Sequence, residues 1–321
     1  MIDPQVVIVS AASLGSVGIA SAALLAGASR FFKVETDPRV EALIAILPGA
    51  NCGGCGFPGC SGFAQALVDG KAEVTACSPG GADVAKQIGA VLGREVADRA
   101  RAVVRLRCSG TRAVAAPRVE YGGVDSCRAL LLVSPAGSKA CPRGCEGLGD
   151  CVRVCLFGAL RMGENGLPAV DEQKCTACGQ CVTACPKHLI AIEPYDSTVF
   201  LACSTDLAPK DARQACQVAC LACRLCLKAC PHDALVWDGR RPVRVDDKCV
   251  GCGLCVDACK QGVLVYARGA VPEPGVRAQA ERLLAERKAV EAARKAAAKA
   301  AAAPQPAAPP ETPAGDGPAP A

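Results

Sequence analysis

The first pattern along the chain is a long apolar run near its beginning. No charged residue occurs in the 23 positions from Val6 to Ala28, and an apolar segment of that length is typical of a helix that crosses a bilayer. A cleaved signal peptide is the alternative, because AGA at Ala26–Ala28 resembles a cleavage site. The acidic leader MID and the length of the run favour a retained anchor.

The charges that flank this run predict its orientation. Asp3 precedes the run, whereas Arg30 and Lys33 follow it. By the positive-inside rule, the N-terminal side lies outside and the chain after Phe32 lies in the cytoplasm. We therefore expect a single-pass protein of the cytoplasmic (inner) membrane, in contact with the lipid bilayer and with its bulk on the cytoplasmic side.

Beyond the run, short apolar segments alternate with turn residues. Phe63, Ala66 and Leu67 have helical spacing. The similar segments ALRMGENGLPAVDEQKC and ALVWDGRRPVRVDDKC each predict a strand, a turn with glycine and a second strand. Because they recur within residues 141–190 and 220–266, they indicate an internal repeat built on a β-hairpin.

Three other segments have recognisable patterns. RAVVRLRC ends at Cys108 and STVFLAC ends at Cys203, and both predict strands that could pair side by side. The Ala-rich segment with seven basic and three acidic residues from Arg277 to Lys299 predicts a helix. Contact of this helix with anionic lipid or with an acidic partner is one hypothesis, and a merely solvated helix is the alternative. The Pro- and Ala-rich end predicts a disordered tail.

Composition narrows how these segments fold. The 321 residues include 24 cysteines but only ten aromatic residues, so large side-chain cores are not expected. Small modules of this kind fold around disulfides or metals. Because the cytoplasm is reducing, metal is favoured over disulfides. The net charge of +5 is modest and does not indicate binding to nucleic acid.

Twenty of the cysteines form five groups with regular spacing. Three groups follow C-x2-C-x2-C-x3-C, which is typical of bacterial ferredoxins with [4Fe–4S] clusters. Zinc sites, the alternative, normally pair two short C-x2-C hooks across a longer loop. The groups are Cys52, Cys55, Cys60 and Cys77; Cys141, Cys145, Cys151 and Cys155; Cys175, Cys178, Cys181 and Cys185; Cys220, Cys223, Cys226 and Cys230; and Cys249, Cys252, Cys255 and Cys259.

The ferredoxin pattern also predicts how the later four groups combine. In two-cluster ferredoxins the last cysteine of each run ligates the cluster of the other run. The predicted ligand sets are therefore Cys141, Cys145, Cys151 and Cys185; Cys175, Cys178, Cys181 and Cys155; Cys220, Cys223, Cys226 and Cys259; and Cys249, Cys252, Cys255 and Cys230.

The first group differs, because sixteen residues separate its third and fourth cysteines. The glycines of NCGGCGFPGC permit positive backbone angles and expose amides to cluster sulfur, so the segment predicts a cradle for a further cluster. A flexible loop with incidental thiols is the alternative. The remaining Cys108, Cys127, Cys203 and Cys216 could bind a sixth cluster or be buried free thiols. The sequence thus predicts five [4Fe–4S] clusters and allows a sixth.

Together, these motifs resemble the B component of the Rnf electron-transport complex, which is its iron–sulfur subunit. The resemblance rests on the anchor, NCGGCGFPGC with its later cysteine, KACPRGCEGLGDCVRVCLFGAL and KCTACGQCVTACPKHLI, and is closest over residues 1–190. Leu156 and Lys260 depart from it, standing where a proline usually follows a run. The resemblance implies electron transfer between reduced ferredoxin and NAD, in either direction, coupled to Na⁺ or H⁺ translocation by the whole complex. It also implies soluble ferredoxin and other membrane subunits as partners, with NAD and flavins bound by those subunits.

Other motifs are missing from the sequence. Neither GxGxxG opening a helix nor GxxxxGK[ST] occurs, so we expect no catalytic residues and no cofactor besides clusters in this chain. The resemblance implies that the chain is a subunit of an ion-translocating oxidoreductase. His188 and His232 are expected to be solvated neighbours that tune a cluster. One apolar helix without internal charge cannot form an ion path alone. An anchored polyferredoxin that serves a hydrogenase, CO dehydrogenase or formate dehydrogenase is the alternative function, and a zinc-binding scaffold is a third hypothesis.

The predicted fold class is α+β. It comprises an N-terminal transmembrane helix, a small 4Fe–4S domain, two tandem bacterial-type 2[4Fe–4S] ferredoxin-like modules and an Ala/Pro-rich tail. The predicted boundaries are 1–32 for the anchor, 33–100 for the Gly/Cys-rich domain, 101–140 for a connecting segment with Cys108 and Cys127, 141–195 and 196–268 for the two modules, and 269–321 for the charged helix and tail.

Overall fold

The computed structural model describes residues 4–31, 37–98, 100–267 and 271–301. The predicted disordered tail, residues 304–321, and the charges of Asp3 and Lys33 lie outside the described residues. The chain divides into two compact units, Met1–Arg99 and Ala100–Ala321.

The first unit begins with helix α1, Pro4–Phe31, which contains the predicted apolar run. Its segment Ile8–Phe31 is long and apolar enough to cross a membrane, has a mean hydropathy of 1.9 and is not buried inside the protein. Leu14 and Ile19 are exposed along this helix, and a bilayer would cover such side chains. Helix α1 therefore has the length, composition and exposure of a membrane anchor.

The rest of the first unit is helical. Its core consists of the fully buried Leu43, Phe63, Leu67 and Ile88. The helical spacing predicted around Phe63 is confirmed, because that stretch forms one of the helices. These helices are α2 (Pro38–Ile46), α3 (Gly59–Val68) and α4 (Gly81–Leu92), with a short 3-10 turn at Val74–Ala76.

The second unit is built from short strands and short helices. The strands are β1 (Ala102–Leu106), β2 (Leu160–Met162), β3 (Pro168–Val170), β4 (Ile190–Pro194), β5 (Val199–Leu201), β6 (Leu235–Trp237), β7 (Pro242–Arg244) and β8 (Leu264–Tyr266). The helices are α5 (Cys127–Val133), α6 (Asp150–Arg153), α7 (Gln180–Ala184), α8 (Pro209–Ala215), α9 (Leu225–Lys228), α10 (Leu254–Asp257) and α11 (Pro274–Ala301), with a 3-10 turn at Asp246–Lys248.

The strand pairing confirms the predicted repeat. The hairpins β2–β3 and β6–β7 are antiparallel and occupy corresponding places. Each is accompanied by an antiparallel outer pair, β1 with β4 in one module and β5 with β8 in the other. The strands that precede Cys108 and Cys203 therefore form, but the prediction that they pair with each other is wrong, because each pairs with the last strand of its own module.

The modules have small apolar cores in which cysteine takes a large part. Val104, Leu160 and Ile190 pack with buried cysteines in the first module, and Leu235 and Leu264 do so in the second. The second module is also covered by the long helix α11, since Ala280 of that helix is fully buried against Cys252 and Leu254. The predicted C-terminal helix is confirmed, and one face of its first half packs on the second module.

Candidate metal centres

The glycine-rich motif folds into a tight loop that leads into α3. Gly53, Gly56 and Gly59 have φ values of 68°, 85° and 80°, a region that favours glycine. The amide of Cys60 donates to Asn51 Oδ1 at 2.8 Å. A side chain at Gly59 would also meet that oxygen at 2.8 Å, so glycine is required for this turn.

The loop and the segment after α3 bring four sulfurs together. The pKa of the Cys77 thiol is raised mainly by burial, and the neighbouring thiols of Cys60, Cys52 and Cys55 raise it further, while a hydrogen bond from the Gly80 amide lowers it. The four cysteines predicted as one ligand set are therefore neighbours in the structure.

The three C-x2-C-x2-C-x3-C runs share one backbone conformation. In each run, the second and the fourth residues after the first cysteine have positive φ. Because such angles turn successive amides toward one side, each run forms a concave nest of N–H donors that suits an anionic group. The values are 52° and 82° at Ala177 and Gly179, 52° and 58° at Ala222 and Arg224, and 73° and 77° at Gly251 and Gly253.

In the second module, the cysteines line two cavities. Each cavity takes three cysteines from one run and the last cysteine of the other, which is the arrangement expected of a two-cluster ferredoxin. The first cavity is lined by Cys249, Cys252, Cys255 and Cys230, and the second by Cys220, Cys223, Cys226 and Cys259. His232, predicted as a neighbour of a cluster, also lines the first cavity.

A third set is brought together in the first module. Burial raises the pKa of Cys181 to about 12, and the neighbouring thiols of Cys175, Cys178, Cys151 and Cys155 raise it further. Of these four, Cys151 lines a separate cavity. Thr176 Oγ1, in the same run, is buried and has no hydrogen-bond partner among the described residues. Buried hydroxyl groups are rarely left unpaired, so this hydroxyl fits a site in which a cluster sulfur accepts its hydrogen bond.

The remaining cavity of the first module departs from the predicted set. It is lined by Cys127, Cys145, Cys151 and Cys185, whereas the sequence prediction placed Cys141 with the last three and assigned Cys127 to the sixth site. The pKa of Cys151 is raised to about 11 by burial and then by Cys185 and Cys127, which agrees with this grouping. The structure thus exchanges Cys127 and Cys141 relative to the prediction.

Hydrogen bonds at the start of α5 explain the position of Cys127. Ser126 caps this helix, and Asp150 Oδ2 accepts from the Ser126 hydroxyl at 3.2 Å and from the Arg128 amide at 3.0 Å. Because Asp150 directly precedes Cys151, these bonds hold the first turn of α5 beside that cysteine. Spacing within a run cannot reveal a contact of this kind, which joins distant parts of the sequence.

Backbone amides donate to the last cysteine sulfur of two of the runs, one in each module. The Leu189 amide donates to Cys185 Sγ at 3.4 Å, and the Ala234 amide donates to Cys230 Sγ at 3.3 Å. In each case the donor lies four residues after the last cysteine of its run. Such bonds stabilise negative charge on sulfur and tune the potential of a bound cluster.

Burial disfavours the deprotonated, anionic form of these cysteine thiols. It raises the pKa of Cys145 and Cys255 to about 12 and that of Cys226 to about 11, and neighbouring cysteines add to the effect. Cysteine binds metal as the thiolate, so a bound cation must offset both burial and mutual repulsion. All 24 cysteines are free of disulfides, and within the described ranges no three His, Cys, Asp or Glu side chains converge on the position of a single ion. The cysteines instead surround cavities.

Three polar groups near these cavities were not predicted from the sequence. They are the Thr176 hydroxyl, the Thr205 hydroxyl, which accepts from Cys141 Sγ at 3.7 Å, and the buried Lys139. The sequence signal for Lys139 and Thr205 is weak, because each merely lies two residues from a cysteine.

Family models match three parts of the chain. Residues 47–79 match a putative Fe-S cluster family, residues 167–190 a 4Fe-4S binding domain and residues 219–263 a 4Fe-4S dicluster domain. These ranges contain the glycine-rich motif and the three ferredoxin runs.

Several curated proteins are similar to most of the chain. The B component of the Methanosarcina acetivorans ion-translocating oxidoreductase complex is 40% identical over 72% of this chain and 87% of its own length. The B component of the Na⁺-translocating ferredoxin:NAD⁺ oxidoreductase complex of Acetobacterium woodii is 42% identical over 67% of this chain and 64% of its own. The proton-translocating counterpart from Clostridium ljungdahlii is 37% identical over 64% and 72%. The chain therefore belongs to the family of B components of Rnf-type ion-translocating oxidoreductase complexes.

Proposed function

We propose that this chain relays electrons between reduced ferredoxin and the other membrane subunits of an Rnf-type complex. In that complex the electrons pass toward NAD, or in the reverse direction, while the complex translocates Na⁺ or H⁺. Two of the relatives are named as components of ferredoxin:NAD⁺ oxidoreductase complexes, one Na⁺-translocating and one proton-translocating. Family membership favours this function over that of an anchored polyferredoxin serving a different enzyme.

The observation that carries the proposal is that cysteines from separate parts of the sequence line the same cavity. Three cavities each combine four cysteines from separate places in the sequence. Burial and mutual repulsion disfavour the thiolate form of such groups unless a metal binds. When bound, [4Fe–4S] clusters supply one-electron transfer.

We assign five ligand sets to this function. Each set consists of four cysteines that are neighbours in the structure. The sets are Cys52, Cys55, Cys60 and Cys77; Cys127, Cys145, Cys151 and Cys185; Cys155, Cys175, Cys178 and Cys181; Cys220, Cys223, Cys226 and Cys259; and Cys230, Cys249, Cys252 and Cys255.

We further propose that α1 crosses the inner membrane once and holds the clusters on the cytoplasmic side. Arg30 lies in the last turn of α1 and no acidic residue lies in its first turn. A basic residue at the C-terminal end of the span favours a cytoplasmic location for the chain that follows. Soluble ferredoxin would then reach the clusters from the cytoplasm.

The test is electron delivery in the native complex. Membranes that lack this chain should not form NADH from NAD⁺ and reduced ferredoxin, and the wild-type chain should restore that activity. The Cys178→Ala chain, inserted at the same level, should not restore it, since one ligand set is broken. Normal NADH formation by membranes without the chain would refute the proposal.

A further inference from the structure

Four cysteines remain outside the five assigned sets. Cys141 and Cys216 are buried, and Cys108 and Cys203 are partly buried. None of them falls within the matched ranges 47–79, 167–190 and 219–263.

Backbone pairing places two of these cysteines on either side of one segment. Residues 114–118 form backbone hydrogen bonds with residues 215–217 on one side and with residues 138–140 on the other. Cys216 lies within the first partner segment and Cys141 directly follows the second. The segment therefore fixes both cysteines relative to one another.

A glycine leaves space between two of the sulfurs. A Cβ atom added at Gly110 would lie 3.5 Å from Cys108 Sγ and 3.5 Å from Cys216 Sγ. After burial, Cys108 and Cys141 are the neighbouring thiols that raise the pKa of Cys216. Cys108 and Cys216 thus lie beside Gly110, and Cys141 is a neighbour of Cys216.

The fourth cysteine joins this region from the second module. Cys203 has Cys108 among its neighbouring thiols. The Thr205 hydroxyl, two residues further on, accepts from Cys141 Sγ at 3.7 Å. The segment that carries Cys203 therefore contacts the other cysteines of the group.

A buried positive charge lies at the same place. Lys139 is 8% exposed, and its Nζ donates to the Gly110 carbonyl at 2.7 Å. Within the part of the chain that the structure describes, it makes no ion pair with a carboxylate. Burial of an ammonium group is costly unless a nearby negative charge offsets it, and a cluster with four thiolate ligands carries net negative charge. Lys139 therefore fits a site that binds such a cluster.

Two hydrogen bonds connect this group to the cavities of both modules. The amide of Cys145, which lines a cavity of the first module, donates to Cys108 Sγ at 3.4 Å. The amide of Cys220, which lines a cavity of the second, donates to Cys203 Sγ at 3.4 Å.

We propose that Cys108, Cys141, Cys203 and Cys216 bind a sixth [4Fe–4S] cluster, located between the two ferredoxin-like modules and joining them into one electron path. This inference rests on the proposed function, since it assumes that the five assigned sets bind clusters. Lys139 is a positioning residue that offsets the charge of the sixth site.

Two double variants distinguish the grouping of cysteines found in the structure from the grouping predicted from the sequence. The full-length chain is purified without oxygen, and iron and acid-labile sulfide are counted per chain. The wild type should contain about 24 iron atoms, four for each of six clusters. The double variant Cys141→Ala/Cys216→Ala should lose about four, because both cysteines serve one site. The matched variant Cys127→Ala/Cys216→Ala should lose about eight, because its cysteines serve two.

The iron counts distinguish an error in the sixth-cluster inference from an error in the proposed function. A wild-type count of about 20 would overturn the sixth site and leave the five sets intact. Losses of about eight in the first variant and about four in the second would restore the sequence-based grouping and overturn this one. A wild type without iron would overturn the proposed function itself.

Variants of Lys139 keep the inference testable if the cysteine variants do not fold. Lys139→Gln should retain the full iron count but shift one cluster to a more negative midpoint potential, measured by a redox titration followed with electron paramagnetic resonance. Lys139→Arg should restore the potential toward the wild-type value. Unchanged potentials in Lys139→Gln would contradict the placement of the cluster beside Lys139.

Discussion

At the scale of single residues, the ferredoxin runs depend on left-handed backbone positions. The fourth residue after the first cysteine is Gly179 in one run, Gly253 in another and Arg224 in the third, with φ of 82°, 77° and 58°. A left-handed conformation at a residue with a side chain costs about 1–2 kcal/mol. Arg224 recovers part of that cost, because its guanidinium lies 4.5 Å from the centre of the Trp237 ring.

Alanine substitutions at Gly179 and Gly253 should distinguish the energetic cost of backbone strain from that of steric clash. At Gly179 the nearest atom to an added Cβ is Ile192 Cδ1 at 3.9 Å, so Gly179→Ala should cost only about 1 kcal/mol of strain. At Gly253 the added atom would overlap the Tyr266 hydroxyl and lie 2.8 Å from Pro272, so Gly253→Ala should be more destabilising. The guanidinium concentration at which half of the visible cluster absorption is lost, measured without oxygen, ranks the stability of the two variants. Equal midpoints for the two variants would contradict the explanation.

At the scale of secondary-structure elements, helix α11 covers one ligand set. Besides the burial of Ala280, Arg287 Nη1 donates to the Cys230 carbonyl at 3.1 Å and to Asp233 Oδ1 at 2.8 Å. Cys252 and Cys230 belong to the same cavity. The first half of α11 thus shields that cavity, whereas the second half is exposed.

Breaking the packing of α11 should expose this cavity. Ala280→Glu places a carboxylate against Cys252 and Leu254, and burying an unpaired charge is strongly unfavourable. We expect faster removal of iron by a chelator from the purified chain. Ala285→Glu on the exposed side of the same helix is the control and should release iron at the wild-type rate. Equal rates for both variants would show that α11 does not protect the site.

The sequence predicts elements better than it predicts their partners. The hairpins β2–β3 and β6–β7 follow from local alternation and turn residues, so they were predicted correctly. The partners of β1 and β5 depend on contacts across a whole module, and local pattern carries no information about them. The exchange of Cys127 and Cys141 has the same cause, because Asp150 and the segment 114–118 fix those cysteines through long-range hydrogen bonds.

At the scale of the whole molecule, a buried ion network joins the two modules of the second unit. Glu193 of β4 is 8% exposed and contacts Arg105 at 3.6 Å, Arg107 at 3.2 Å and Arg244 at 3.4 Å. Arg244 lies in β7 of the other module, and Arg105 is 2% exposed. One carboxylate therefore forms ion pairs with arginines from both modules.

Removing that carboxylate should loosen the junction between the modules. Glu193→Gln leaves buried guanidinium groups with less compensating charge, a change that typically costs about 3–5 kcal/mol. Arg105 keeps its contact with Glu172 at 3.3 Å, so we expect the lower end of that range. Glu291→Gln is the control, because its pair with Lys295 is exposed and should matter little. A midpoint of denaturation for Glu193→Gln equal to that of the control would refute this role.

The anchor should be separable from the clusters. Deletion of residues 1–31 removes α1, which is not buried inside the protein, so the shortened chain expressed without other subunits should be soluble and brown. The full chain, as control, should remain in the membrane fraction. A shortened chain that still sediments with membranes would require a second membrane contact.

The most direct measurement is the metal content of the full chain, purified anaerobically and analysed for iron, sulfide and zinc together. We predict iron and acid-labile sulfide in equal amounts, at about 20 atoms or more per chain, with brown colour that dithionite bleaches and no stoichiometric zinc. A folded chain that contained zinc, or no metal at all, would contradict the claim that its cysteines hold iron–sulfur clusters in place of a large apolar core.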